Sequence, residues 1–277
     1  MIVAKEFPDK KFESKDELFT ALVDNKAELI ATKKMQTKEA DAVFNIVKSK
    51  ENTIGLANKT ESNSNSEPEP NKLKLKLVIN TTNILDSHSD VHIKGIWNET
   101  IKEQKDLYLL QEHQMKFDSI ISDNISAKVE TMKWKDLGFS YGGDTEALIF
   151  ETTIDKNRNS FMFDQYLQGF VKNHSVGMCY VKIELAINSE SKWYREEKEI
   201  WDKYISQIAN KEEAEAKGYF WAVTEAKIIE GSAVVRGSNI ATPTISVEAV
   251  EDTSSKQEPS RDTQKAEEML KELLTKI

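Results

Sequence analysis

The chain has one cysteine, Cys179, and four histidines. A lone thiol excludes an internal disulfide and a cysteine-based zinc cluster, and reducing cytoplasm is the expected setting. Also missing is any apolar run near the roughly 18 residues that a membrane span needs. The opening stretch MIVAKEFPDKKF lacks the charged-then-apolar layout of a secretory signal. Positive charge is in short supply: 38 Lys and Arg stand against 47 Asp and Glu, a net charge of −9. That balance argues against a broad nucleic-acid surface, which depends on clustered Lys and Arg. The Lys-rich NKLKLKLV (71–78) is no exception, because strict Lys/Leu alternation describes a strand with one wet and one buried face. Neither nucleic acid, a membrane nor a cofactor is expected as a partner.

What is present fits a globular core with polar appendages: 277 residues, 39% hydrophobic and 31% charged. Residues 1–48 read as a small docking or assembly module. It holds a strand-like IVAKEF, a turn at FPDKKF, and a helix opened by Ser14 and Glu17 that runs to about Val23. A second strand is expected at AELIATKK. Segment 49–72 contains NKTESNSNSEPEPNK (58–72), too poor in apolar residues to offset ordering entropy, and reads as a flexible linker.

The core is expected over 73–250. Its strand-like stretches are KLKLKLVI, DVHIKGIW, KVETMKW, EALIFETTI, VGMCYVKIELAI, YFWAVTEAKII and GSAVVRG. Helical spacing appears in 161–172, where Phe163, Tyr166, Leu167, Phe170 and Val171 share a face, and again in 191–209. The second helix belongs to an insertion at about 191–217. Many strands, few helices and no strand–helix alternation give an α+β fold and argue against a doubly wound nucleotide fold. The tail, 251–277, opens with a polar stretch. It ends in TQKAEEMLKELLTKI, which sets Met269, Leu270, Leu273, Leu274 and Ile277 on one helical face.

Two groups of residues could carry chemistry. LDSHSDVH gathers Asp86, His88, Asp90 and His92, but strand alternation scatters them and no HExxH or Cys partner accompanies them. They read as surface turn residues leading into a strand. The second group is spread along the chain. Ser175 follows an apolar helix and opens a strand in VKNHSVGMCYV (171–181), with Gly177 leaving room for a close backbone approach. A serine hydroxyl needs a base to take its proton. His174 is a poor one, because strand neighbours point to opposite faces. His113, where the apolar LYLL run ends in Gln-Glu-His, is the better candidate. Glu230, between Ile-Ile and the small Gly231, Ser232 and Ala233, is expected to be partly buried and in need of a partner. On the residues alone the reading that prevails is a Glu on the wet face of an edge strand, paired with Lys or Arg. Arg236 is a weaker candidate for countering developing negative charge.

The stretches LLQEH (109–113), NHSVGM (173–178) and IIEGSAVVRGSNIATPT (228–244) resemble, in this order, the signature blocks of tailed-phage prohead proteases. SHSDVHIKGIWNETI (87–101) is similar to the block before the histidine. Those enzymes are serine proteases of capsid maturation, with a fold similar to the herpesvirus assemblin. The resemblance covers about residues 73–245. It implies a mainly antiparallel β-barrel core flanked by helices, with His113 as general base, Ser175 as nucleophile and Glu230 as orienting acid. The sequence departs from the pattern at Gln114, where Asp is common, and at Gly231, where an apolar residue is. The resemblance further implies capsid and scaffold proteins as substrates, self-association, and a place inside the prohead in the host cytoplasm. The terminal appendages would dock the enzyme in the shell and be clipped on maturation. Two other readings stand beside it: an inactive assembly protein with a protease-like fold, and a metal-dependent hydrolase using His88 and His92.

Overall fold

The computed structural model of the chain describes residues 1–35, 70–103 and 106–250. Among these residues the fold is mixed α+β, with six α-helices and predominantly antiparallel sheets. No helix among them is long and apolar enough to cross a membrane. Residues 36–48, the expected linker up to residue 69 and the 251–277 tail with its helical face lie outside the described residues.

At the N-terminus β1 (Ile2–Val3) pairs antiparallel with β2 (Lys11–Phe12). Ser14 caps α1 (Lys15–Asp24): its Oγ accepts the Glu17 N–H at 3.2 Å, and the Glu17 carboxylate accepts the Glu13 N–H at 2.9 Å. The expected strand at AELIATKK is instead α2 (Lys26–Met35). Leu29, Ile30 and Lys33 explain the difference, since three- and four-residue spacing brings all three to one side only in a helix. That side rests on the main core. Residues 1–35, expected to form a module of their own, share this core, where Phe12, Leu18, Phe19 and Leu22 cluster with Tyr219 and Trp221. Buried polar groups fasten the same segment. Lys33 Nζ lies 2.7 Å from Asp90 Oδ1, and the Glu6 carboxylate accepts bonds from Tyr219 OH and Trp221 Nε1, each 2.8 Å.

The Lys/Leu alternation becomes β3 (Lys72–Thr81), with Leu73, Leu75 and Leu77 buried and Lys72 and Lys74 in water. It sits inside a four-stranded antiparallel sheet in the order β11 (Thr244–Ala249), β3, β8 (Asp144–Asp155), β7 (Ile125–Lys133). The second sheet is organised by β10 (Tyr219–Val234), a single strand made from the two stretches YFWAVTEAKII and GSAVVRG. Along one edge it pairs antiparallel with β9 (Asn173–Ile187). Along the other edge it pairs in parallel with β4 (Asp90–His92) and then with β5 (Leu109–Gln111). Beyond β5 lies β6 (Ile120–Ser122).

Apolar faces of the two sheets meet, and Gly231 lies at a close approach between them. A Cβ there would stand 2.6 Å from Phe150 Cε2 and 3.2 Å from Ile79 Cδ1. The glycine at this position therefore has a steric cause: Phe150 occupies the space of a side chain. At one margin the sheets are joined by a bridge between Asn173 and Pro243 and by the His174 N–H donating to Thr242 O at 3.1 Å. At another, Thr152 Oγ1 lies 2.7 Å from Ser122 Oγ and donates to Asn124 O at 2.8 Å. Backbone pairing among the described residues yields the small β1–β2 sheet, the two larger sheets and no closed barrel.

Helix α3 (Asn98–Lys102) follows β4, and α4 (Ser160–Leu167) precedes β9. Helix α4 ends five residues earlier than periodicity suggests, because Gly169 adopts a left-handed conformation (φ 70°). Phe170 is consequently 65% exposed and does not continue the apolar face. In the insertion, α5 (Arg195–Tyr204) and α6 (Lys211–Lys217) cover the outer side of β10. Trp201, Tyr204 and Ala214 pack there against Phe220 and Ala222.

Candidate active site

Three neighbouring strands position the site: β5, β10 and β9, with β10 in the middle. β5 ends as the Glu112 N–H donates to Ala233 O at 3.0 Å. The chain then turns away through two consecutive left-handed residues, Glu112 (φ 48°) and His113 (φ 58°). Side-chain-bearing residues seldom adopt this conformation, and such strain concentrates at functional sites. The turn brings the His113 imidazole back over β10, where Nδ1 lies 2.6 Å from Glu230 Oε1. Glu230 is 2% exposed, so its carboxylate needs this partner and a second one. Ser232 supplies the second, donating its hydroxyl proton to Glu230 Oε2 at 2.6 Å. With Nδ1 donating to the carboxylate, a neutral ring would leave Nε2 as its acceptor nitrogen. Nε2 is buried and has no hydrogen-bond partner among the described residues.

Ser175 belongs to the same face. In the antiparallel β9–β10 ladder Ser175 is directly opposite Ser232, and Gly177 is directly opposite Glu230. Directly paired residues share a face, and so do residues two apart on one strand. Ser175, Gly177, Glu230 and Ser232 therefore surround one spot. The His113 backbone N–H reaches that spot too, donating to Ser232 Oγ at 3.1 Å. Ser175 is 7% exposed, and its hydroxyl makes no hydrogen bond among the described residues. It is thus not bonded to His113 Nε2.

Gly177 has a different use from the close backbone approach anticipated for it. A Cβ on residue 177 would stand 2.1 Å from Glu230 Oε1, so the missing side chain is the space in which the carboxylate lies. Ser232, given no role in the sequence reading although it falls within the third resembling block, is a further polar member of the site. Its two-residue spacing from Glu230 within a strand was the available signal.

His174, adjacent to Ser175, is enclosed on the other face of β9. Its Nδ1 donates to Thr242 O at 3.1 Å, its Nε2 accepts from Tyr166 OH at 3.1 Å, and its ring stacks on Tyr166. Burial pushes its pKa down to about 4 and that of the Tyr166 phenol up. Arg236 is exposed in the turn after β10. That turn is held near the start of β9 by Asn173 Nδ2, which donates to Val235 O at 3.1 Å.

Asp90 and His92, expected at the surface, are 1% and 3% exposed. Partners make that burial tolerable. Asp90 takes Lys33 and the Tyr180 hydroxyl (2.7 Å), and His92 takes Asn80 and Tyr180. No group of three His, Cys, Asp or Glu able to hold a metal ion occurs among the described residues.

Chemically, a neutral imidazole backed by a carboxylate can accept a proton at Nε2 and remain stable as imidazolium, over a strand face that also bears a serine hydroxyl. Comparison with family models, curated proteins and solved structures finds no match.

Proposed function

We propose that the chain is a serine endopeptidase of the prohead-protease type, with Ser175 as nucleophile, His113 as general base and Glu230 as orienting acid. The observation that carries this reading is the 2.6 Å contact between His113 Nδ1 and the buried Glu230 carboxylate, with Nε2 unpartnered over the strand face that bears Ser175. Ser175 Oγ attacks a peptide carbonyl as His113 Nε2 takes its proton. Glu230 stabilises the imidazolium, which then protonates the departing amine. A water, deprotonated by the same nitrogen, hydrolyses the acyl-enzyme.

The substrates in this proposal are segments of capsid and scaffold proteins inside an immature shell in the host cytoplasm, where the enzyme self-associates. A barrel-like core is also part of the reading. Its support is the pair of joints between the sheets, at Asn173 and Pro243 and at Ser122 and Thr152. The test is co-expression with capsid and scaffold proteins. Wild type should cleave them, and both Ser175→Ala and His113→Ala should leave them intact.

A second reading, an inactive assembly protein built on the same fold, draws on one observation: the absent bond between Ser175 and His113. It predicts shell assembly without cleavage by wild type.

A further inference from the structure

Ser232 ties together the two parts of the site that Ser175 does not touch. It is 0% exposed and lies opposite Ser175 in the ladder. A hydroxyl has a single proton, and this one is committed to Glu230 Oε2 at 2.6 Å. The oxygen lone pairs remain, and one of them receives the His113 backbone N–H at 3.1 Å. One side chain therefore grips both the carboxylate that orients the imidazole and the backbone from which the imidazole springs. That backbone is the unusual one, with His113 at φ 58° following Glu112 at φ 48°. A left-handed pair persists only where its surroundings over-determine it. The Glu112 N–H is fixed by Ala233 O and the Gln114 N–H by Gln111 O, so Ser232 completes a run of three consecutive anchored amides. Its committed proton also separates the two paired serines by role, since only Ser175 has a hydroxyl with its proton uncommitted.

We propose that Ser232 is a positioning residue, a two-way hydrogen-bond clasp that fixes the Glu230 carboxylate and the left-handed His113 backbone so that Nε2 faces Ser175. The catalytic consequence of this rests on the serine-protease reading, whereas the clasp itself does not.

The test uses the full chain carrying Ser232→Ala, with Ser232→Cys as a variant that fills the site with a poor donor. Three quantities are measured. The first is the low-field proton resonance of the His113 Nδ1–H, recorded in a Ser175→Ala background. The second is hydrogen exchange of the His113 amide, and the third is kcat and KM on a peptide from a cleaved capsid or scaffold segment. Both variants should lose or broaden the resonance and speed amide exchange at least about tenfold. Both should lower kcat about 10–100-fold with KM within about twofold, as expected for losing a hydrogen bond to a charged group. The clasp is overturned if either folded variant keeps the resonance and the exchange rate of wild type. It is equally overturned if KM rises while kcat holds. If Ser175→Ala still cleaves the peptide, the protease reading falls instead, and the resonance and exchange results judge the clasp alone.

Discussion

Replacing Gly177 by Ala would test the site geometry without assuming any activity. The new Cβ would stand 2.1 Å from Glu230 Oε1, 2.8 Å from its Cδ and 3.0 Å from its Cγ. An unrestrained glutamate would swing aside. This one is held at both oxygens, by His113 and by Ser232, at 2.6 Å each. Moving it forfeits at least one hydrogen bond to a charged group, about 1.5–3 kcal/mol. Holding it in place means overpacking, about 1–3 kcal/mol. The cheaper of the two routes sets the cost, so a loss of roughly 1–3 kcal/mol is expected against the about 5–15 kcal/mol that stabilises an ordinary domain. Denaturant unfolding of wild type, Gly177→Ala, Glu230→Ala and the double variant closes the cycle. Without the carboxylate the methyl meets no clash, so the double variant should be more stable than additivity allows by about 1 kcal/mol or more. Additive costs, or a Gly177→Ala protein within about 0.5 kcal/mol of wild type, would refute the placement of Glu230 over Gly177. If the proposed function holds, kcat/KM should also fall at least about 100-fold in Gly177→Ala, because the base loses its orienting partner.

Three further outcomes are expected. His174 has its pKa lowered from 6.5 to about 4 by burial, so below pH 6.5 the unfolded chain binds the proton more readily. Stability should fall by up to roughly 3 kcal/mol between pH 6.5 and 4 and level off below, and His174→Asn should flatten that limb of the unfolding profile. Lys33→Met removes the ammonium 2.7 Å from buried Asp90 and should cost about 3–5 kcal/mol in denaturant unfolding, part of it recovered by adding Asp90→Asn. Gly231→Val should destabilise by about 1–3 kcal/mol through its clash with Phe150, and by less in a Phe150→Ala background, as thermal melting would report.

The strands were legible because their patterning is local: Leu73, Leu75 and Leu77 alternate with lysines, and one face of the sheet is buried. The helix at Lys26–Met35 was misread because its few apolar residues give a faint period. Its decisive side chain is a lysine that finds Asp90 across the fold, and single-segment hydropathy carries no record of such a partner. His113, Ser175 and Glu230 stand out by residue type and local context and take joint roles only through the resemblance of three short blocks, since spacing along the chain has no power to join them. The elements that do join them are long-range. The β9–β10 register sets Gly177 under Glu230, and the left-handed turn at Glu112–His113 has no glycine to announce it. The Asp86–His92 stretch shows the opposite failure. Polar composition suggested a surface turn, whereas Lys33, Asn80 and Tyr180 make its last residues an interior strand.

The fastening of the first 35 residues bears on how this polypeptide can be trimmed. Glu6 holds Tyr219 and Trp221, and Lys33 holds Asp90, so stripping that segment would uncover aromatic surface and take the ammonium away from an interior carboxylate. A scissile bond between residues 36 and 69 leaves every one of those attachments with the body of the protein. If the proposed function holds, clipping in that stretch would therefore nick the chain without releasing its first 35 residues.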